Sequence, residues 1–260
     1  MNHWTELSIA YANQRSYLDD LFQVYPTIPE GIREIDTTIW KTIERNFRKR
    51  DNIALMQSLL KLEIFPIKDS YIAFLKRDQS ALARNPKTVN RICGRLYEMG
   101  LPKIFERCSE PKETNRQIGP LFKRWIDKKS LGIQPVNINT FTDSNVDAIL
   151  DGSDAQLRDF ARQELNYYRA KGLDLVARFH GQYVIAEAKF LTDFGGHQNA
   201  QFEDAVTLFK LSGLKAIPIA VLDGVAYLKG DNKLFRQITE DYATYNIMSA
   251  LVLREFLYQL

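Results

Sequence analysis

Between residues 171 and 190 the chain reads KGLDLVARFHGQYVIAEAKF, and it sets two acids and an amine, Asp174, Glu187 and Lys189, in a stretch that otherwise favours burial. Carboxylates are hard oxygen donors, the kind that hold a small divalent cation. Side chains of a strand alternate between its faces, so Asp174 shares a face with Val176 and Arg178, and Glu187 shares one with Lys189. A two-residue turn at Gly181-Gln182, glycine first, sets Asp174 opposite Lys189 and Val176 opposite Glu187. Asp174 and Glu187 then become diagonal neighbours, about 7 Å apart at Cβ and able to converge on one cation. Lys189 stands beside them.

The elements around this hairpin must hold those groups in place. The second strand, YVIAEAKF, is apolar apart from Glu187 and Lys189, as expected of a strand covered on both faces. Before it, SDAQLRDFARQELNYYRAKG reads as a helix capped by Ser153, with Gln156 completing a capping box and Gly172 closing it. Leu157, Phe160, Ala161, Leu165 and Tyr168 form its apolar stripe, and Glu164 falls inside that stripe, so a third acid is expected to face the sheet. After the hairpin, TDFGGHQ leads into a helix from about His197 to Leu211. Gln198 and Gln201 lie on or beside its face of Phe202, Ala205 and Phe209. Gly195 and Gly196 let backbone approach a phosphate, and the helix start offers free N–H donors. His197 reads as loop chemistry or a phosphate contact.

With 260 residues, 45% of them hydrophobic, the chain has enough material for one large domain or two small ones. Lys and Arg number 35 against 32 Asp and Glu, and a net charge of +3 is too small to announce a nucleic-acid partner by itself. Cys93 and Cys108 lack metal-ligand spacing, and three scattered histidines assemble no zinc site, which fits a reducing cytoplasm. No stretch approaches the roughly 18 apolar residues of a membrane span, and the N-terminus lacks a signal-peptide pattern. The expectation is a soluble, cytoplasmic protein.

Residues 1–130 read as a mainly helical region. TTIWKTIERNFRKRDNIALMQSLLKLEIFP has apolar residues at helical spacing, and KTVNRICGRLYEMG ends at Gly100 with Pro102 just beyond. Residues 131–260 mix elements: the run AIPIAVL reads as a buried strand and NIMSALVLREFLYQL as a closing helix. Asp174, Glu187 and Lys189 form D-x12-E-x-K on a hairpin between two helices. In this setting residues 150–260 resemble the PD-(D/E)XK nuclease superfamily, particularly type II restriction endonucleases. VLDGVAYL and ETNRQIGPLFKRWI share their sequence style, and Leu173 stands where the motif has proline.

That resemblance implies an α/β fold, a mixed β-sheet flanked by helices, with residues 131–260 as the catalytic core. It also implies Mg²⁺, replaceable by Mn²⁺, held by Asp174, Glu187 and the Ala188 carbonyl. Glu164 becomes an acid behind these ligands or a ligand of a second ion, and Lys189 orients and helps deprotonate the attacking water. The implied activity is sequence-specific cleavage of duplex DNA. A branch-reading resolvase or repair nuclease, or a non-catalytic DNA-binding protein on a decayed core, are the alternatives. The superfamily core runs helix, three strands, helix, strand, with the aspartate on the second strand. Only Gly172 and Leu173 separate the helix from Asp174, so either the helix ends early or the first strand precedes Ser153.

Residues 1–130 are expected to recognise DNA or to dimerise. NPKTVNRICGRLYEMGL resembles the second helix of a helix-turn-helix, with Lys87, Thr88, Asn90, Arg91 and Arg95 available to DNA, although Val89, Ile92, Leu96 and Met99 already account for it as an amphipathic helix with a solvated basic face, the reading favoured here. Asn115, Arg116, Gln117, Lys123 and Arg124 are of types that read bases or bind phosphate. The basic run Arg45 to Asp51 reads as a solvated helix face. The two-fold symmetry of duplex DNA makes a homodimer the simplest assembly, and a cognate methyltransferase is expected in the same cell, not as a bound subunit.

Overall fold

The computed structural model describes residues 1–14, 16–26, 33–110 and 118–260, with the backbone alone of His197. The chain divides into two compact units, Met1–Thr27 with Thr114–Leu260, and Ile28–Glu113. In place of the single boundary expected at residue 130, the helical unit is an insertion, and the first 27 residues belong with the sheet. Among the described residues no helix is long and apolar enough to cross a membrane.

Helices α1 (His3–Ala12) and α2 (Tyr17–Val24) open the sheet-bearing unit. The inserted unit consists of α3 (Thr37–Lys49), α4 (Asn52–Leu59), α5 (Ile72–Arg77), α6 (Ala81–Arg84) and α7 (Pro86–Cys108) around a core that includes Ile43, Leu55, Met56, Ile92 and Leu96. One long helical pattern resolves here into two helices, because Arg50 adopts a left-handed conformation (φ 51°) and Asp51 caps α4 by accepting from the Ala54 N–H at 3.0 Å. Gly100 (φ 73°) breaks α7 where the sequence places its stop.

The sheet-bearing unit continues with α8 (Ile118–Asp127), α9 (Ile138–Asp143), β1 (Ala148–Ile149), α10 (Asp154–Glu164), β2 (Leu175–Phe179), β3 (Gln182–Leu191), α11 (His197–Val206), β4 (Ile217–Gly224), α12 (Lys233–Arg236), β5 (Ile247–Met248) and α13 (Ala250–Tyr258). Strands run in the order β1-β2-β3-β4-β5, antiparallel from β1 to β3 and parallel from β3 to β5, so the sheet is mixed. The buried strand and the closing helix read from the sequence are β4 and α13. Both proposed resolutions of the short linker hold: β1 lies before Ser153, and α10 ends at Glu164 instead of Gly172.

The hairpin turn sits on His180-Gly181, not Gly181-Gln182. Both residues have positive φ (49° and 76°), the requirement of a type I′ turn, and the Asp147 carboxylate holds the His180 N–H at 2.8 Å. Leu175 therefore pairs with Ala186 and Arg178 with Tyr183, a register two residues from the expected one. Because the strand period is two, the slip leaves every side chain on its expected face. Leu175, Ala177, Phe179, Val184 and Ala186 pack with α2, α8 and α13. On the other face, Val176 and Ile185 pack under α10, while Leu191 packs with α11.

Asp223, at the end of β4, joins chain segments far apart in sequence. Fully buried, it accepts hydrogen bonds from the Tyr25 hydroxyl (2.8 Å), the Ala250 N–H (3.2 Å) and the Ser249 hydroxyl. Tyr25 itself stacks on Phe122 and meets Phe190 edge-on. Burial pushes the Asp223 carboxyl up to about 7, against the pull of those hydrogen bonds. The folded protein thus holds a proton that the unfolded chain releases from pH 3.8 upward, and the stability it confers is lost as pH rises through that window. The full span corresponds to about 4 kcal/mol. The melting temperature is expected to fall between pH 5 and pH 7.5 by differential scanning calorimetry, and Asp223→Asn is expected to flatten that slope; equal slopes refute the assignment.

Candidate active site

On the β2–β3 face, α10 covers one end and α11 the other. Between them lies an open cavity of about 330 Å³ whose walls include Asp154, Arg158, Lys171, Asp174, Glu187 and Lys189. Asp174 immediately precedes β2; its N–H donates to the Ala186 carbonyl (3.0 Å), and its Oδ2 accepts from the Ala188 N–H (2.8 Å). Glu187, in the middle of β3, has no exposed surface. The Lys189 Nζ lies 3.1 Å from Glu187 Oε2, 3.8 Å from Asp174 Oδ2 and 3.2 Å from the Ala188 carbonyl. The three residues of the sequence motif thus meet at one place.

Two further cations and two further acids surround them. Lys171 Nζ lies 2.7 Å from Glu187 Oε2, so one carboxylate oxygen receives two ammonium groups, and Lys171 also contacts Asp204 of α11. Arg169 approaches the same Asp204 at 3.4 Å. Asp154, the first residue of α10, faces Asp174 across the cavity. Gly172 makes this approach possible. Its backbone lies so close to α10 that a Cβ there meets Asp154 Cβ at 2.6 Å, and the Leu173 N–H donates to the Asp154 carbonyl at 3.3 Å. The glycine read from the sequence as a helix stop is a close-packing residue.

Burial pushes the Asp174 carboxyl up to about 6, Glu187 and Asp154 add to the rise, and the Lys189 charge with the Ala188 N–H oppose it. For Lys189 burial is the largest influence and disfavours charge, yet Asp174 and Glu187 outweigh it and hold its pKa above the ordinary lysine value. Lys189 is therefore an ammonium at neutral pH. In that form it donates hydrogen bonds and supplies positive charge. For Asp204, burial pushes up, but Lys171, Lys189 and Arg169 together hold it below its usual value.

Glu187 Oε1 is buried and finds no hydrogen-bond partner among the described residues. An acceptor left unmet in a low-dielectric pocket is costly unless something positive completes it. Among the described residues no group of three or more His, Cys, Asp or Glu forms a ready-made metal cage. The available donors are two carboxylates and the Ala188 carbonyl. That set suits a small hard cation that keeps water or substrate oxygens in its remaining positions, as Mg²⁺ does.

Other residues singled out by sequence lie elsewhere. Glu164 is a correction: it is exposed, because α10 stops there and the chain turns away through Asn166 (φ 59°), burying Leu165 and Tyr167 and leaving Tyr168 72% exposed. Gln198 is buried and spans its own loop, accepting from the Thr192 N–H (3.2 Å) and donating to the Thr192 hydroxyl (3.1 Å). Gly195 and Gly196 are exposed, and Gln201 is half-buried. The His197 side chain and all of Asn115, Arg116 and Gln117 lie outside the described residues.

Lys123 donates to the Gly152 carbonyl (2.8 Å) and pairs with Asp151 (3.5 Å), fastening α8 to the loop that enters α10. Arg124 is exposed on α8. In the inserted unit Lys87 and Arg95 are exposed, Arg91 is held by Asp69 at 2.6 Å, and Asn90 accepts from Asn52 at 2.8 Å. Lys171, Asp204 and Asp154 escaped the sequence reading. Lys171 falls in the stretch that the sequence pattern reads as the last turn of a helix closed by Gly172, and Asp204 stands on the same helix as Gln198 and Gln201.

A mixed sheet with acids and a lysine gathered between two flanking helices is the arrangement of a restriction-endonuclease-like protein. The family model described as Tsp45I type II restriction enzyme matches residues 2–260, and the chain belongs to that family. Membership makes it a restriction enzyme, a deoxyribonuclease whose substrate is DNA. Neither the curated proteins nor the solved structures give a match.

Two substitutions test the geometry. Gly172→Ala is expected to cost about 1–3 kcal/mol in urea denaturation, because the new methyl meets α10. Glu164→Ala is expected to stay within about 0.5 kcal/mol of the parent and to cut DNA at the parent rate; a large loss of activity there restores Glu164 to the site.

Proposed function

We propose that the chain is a Mg²⁺-dependent type II endonuclease of the PD-(D/E)XK superfamily that hydrolyses both strands of duplex DNA at a specific sequence, with Asp174, Glu187 and Lys189 as its catalytic residues. The observation that carries this reading is the meeting of those three side chains, Lys189 lying within 4 Å of both carboxylates, beside a buried Glu187 Oε1 that has no hydrogen-bond partner among the described residues. Asp174, Glu187 and the Ala188 carbonyl are the groups to hold the ion, and Mn²⁺, of similar hardness, is expected to replace it. When bound, the ion supplies acidity to water and positive charge to the scissile phosphate.

The chain's own residues account for the rest of the chemistry. Hydrolysis forms one P–O bond from water and breaks another, and negative charge grows on the phosphoryl oxygens and on the leaving oxygen. Lys189, charged at neutral pH, donates a hydrogen bond to the attacking water or to a phosphoryl oxygen. Lys171 offers a second ammonium at the cavity mouth, tethered by Asp204. Both lysines share Glu187 Oε2 with any incoming cation, so they keep the buried acid compensated while the site waits for substrate. A homodimer with one site per strand, and a methyltransferase protecting the host's own sites, complete the proposal.

Incubation with plasmid in Mg²⁺ is expected to give discrete fragments whose ends share one sequence, and EDTA is expected to abolish them. Asp174→Ala, Glu187→Ala and Lys189→Ala are each expected to lower cleavage on the order of 10³-fold with the far-ultraviolet circular dichroism unchanged. Lys171→Met is expected to slow cleavage about tenfold, about 1.4 kcal/mol, while tightening Mn²⁺ binding measured by calorimetry, since one competitor for Glu187 is gone. Full activity in any of the three alanine variants, or cutting confined to branched DNA, counts against the proposal.

A further inference from the structure

The inserted unit carries 17 Lys and Arg against 12 Asp and Glu between residues 28 and 113, a net +5 in a chain whose total is +3. Much of that excess lies on one helix. On α3, Ile39, Trp40, Ile43 and Phe47 pack into the unit's core, and Lys41, Arg45, Arg48 and Lys49 occupy the opposite side. At 100° per residue the four cations fall within a sector about 100° wide. All four are exposed, and among the described residues none has a carboxylate partner. Glu44, the acid within α3, has its carboxylate on the Trp40 indole N–H at 3.2 Å instead of on Arg48 one turn along. Thr38 falls within the sector and Thr42 beside it, so α3 itself puts no carboxylate on this face.

Two ordinary explanations fall short. Cations in a last helical turn complement the helix dipole, which accounts for Arg48 and Lys49 but not for Lys41 or Arg45. A solvated face is usually stabilised by acids and bases interleaved at i,i+4, and this face has bases only. Like charges at that spacing repel, so α3 accepts a small cost that a bound polyanion removes.

We propose that the Lys41–Arg45–Arg48–Lys49 stripe of α3 grips the phosphate backbone of duplex DNA without reading its sequence. The inference rests on the reading of the chain as a DNA endonuclease and assigns to α3, not α7, the main electrostatic contact of the inserted unit. The eight helical steps from Lys41 to Lys49 span about 12 Å, the axial rise of three to four phosphates on one strand. Flexible cations and hydroxyls along a line are suited to phosphates; bidentate base reading requires Arg, Asn or Gln side chains inserted into a groove. On α7, by contrast, Arg91 and Asn90 are already committed to Asp69 and Asn52.

The test measures binding of the full chain to fluorescein-labelled 30-base-pair duplexes in EDTA, across a series of salt concentrations. One duplex contains a cleavage site mapped on plasmid and the other a scrambled sequence. The variant is Lys41→Ala/Arg45→Ala/Arg48→Ala/Lys49→Ala, since alanine preserves helix propensity. Lys61→Ala/Lys68→Ala/Arg77→Ala removes exposed cations elsewhere in the same unit. Melting curves check that both variants fold.

Each phosphate contact contributes about 0.9 to the slope of log affinity against log salt. The α3 variant is expected to lose about 3 from that slope and to weaken on both duplexes alike, while the control loses less than about 1. Equal slopes for the α3 variant and the control overturn the proposal, as does a loss confined to the duplex containing the site. A parent protein that cuts and binds normally beside an unaffected α3 variant refutes only this inference. A parent that neither binds nor cuts duplex DNA refutes the endonuclease reading as well.

Discussion

A carboxylate buried as fully as Glu187 must be compensated by charge, and that requirement bears on everything around it. Its strand, β3, lies at the middle of the sheet, between β2 and β4, and both its faces are covered. Solvent cannot supply the compensation, so the chain does. Lys189 arrives from two residues along the same strand, and Lys171 from the loop that Gly172 presses against α10. Even so, among the described residues Oε1 finds no hydrogen-bond partner. Burial raises the cost of leaving Oε1 unmet, which is the electrostatic reason a positive group is favoured there.

The hairpin chemistry was legible in the sequence because a period of two survives errors of even register. A glycine-first turn puts the reversal one residue too late, whereas His180 takes the left-handed conformation with Asp147 holding its N–H. The resulting slip of two residues preserved the meeting of Asp174, Glu187 and Lys189. Helical angle is less forgiving. Counting 100° per residue placed Glu164 in the apolar stripe, and the count itself was sound as far as Ala161. It says nothing about where a helix stops, and Asn166 ends this one through a backbone conformation that propensity does not announce.

Contacts between distant segments were out of reach for a different reason. Nothing local marks Asp154 as a neighbour of Asp174, or Asp204 as the anchor of Lys171, because those pairings depend on how α10 and α11 cross the sheet. The same holds for Tyr25 and Asp223, 198 residues apart. Charge and small size were visible at each position, yet partners were not. The inserted unit shows the converse, where a surface pattern read as ordinary solvation gains meaning only when the acids nearby prove to be engaged with other groups.

The balance of +3 conceals a partition that bears on how a polyanion reaches the site. Outside residues 28–113 the chain carries 18 basic and 20 acidic side chains, a net −2, and several of those acids ring the cavity. Such a unit attracts small cations and gives DNA no general electrostatic welcome at long range, where net charge dominates. The +5 of the inserted unit reverses that sign elsewhere on the same chain. Fields of exposed charges decay over about 8 Å at physiological salt, so each set acts chiefly on what touches its own surface, acids on cations and bases on polyanions. A uniform spread of the same 67 charges leaves neither a cation trap nor a phosphate track.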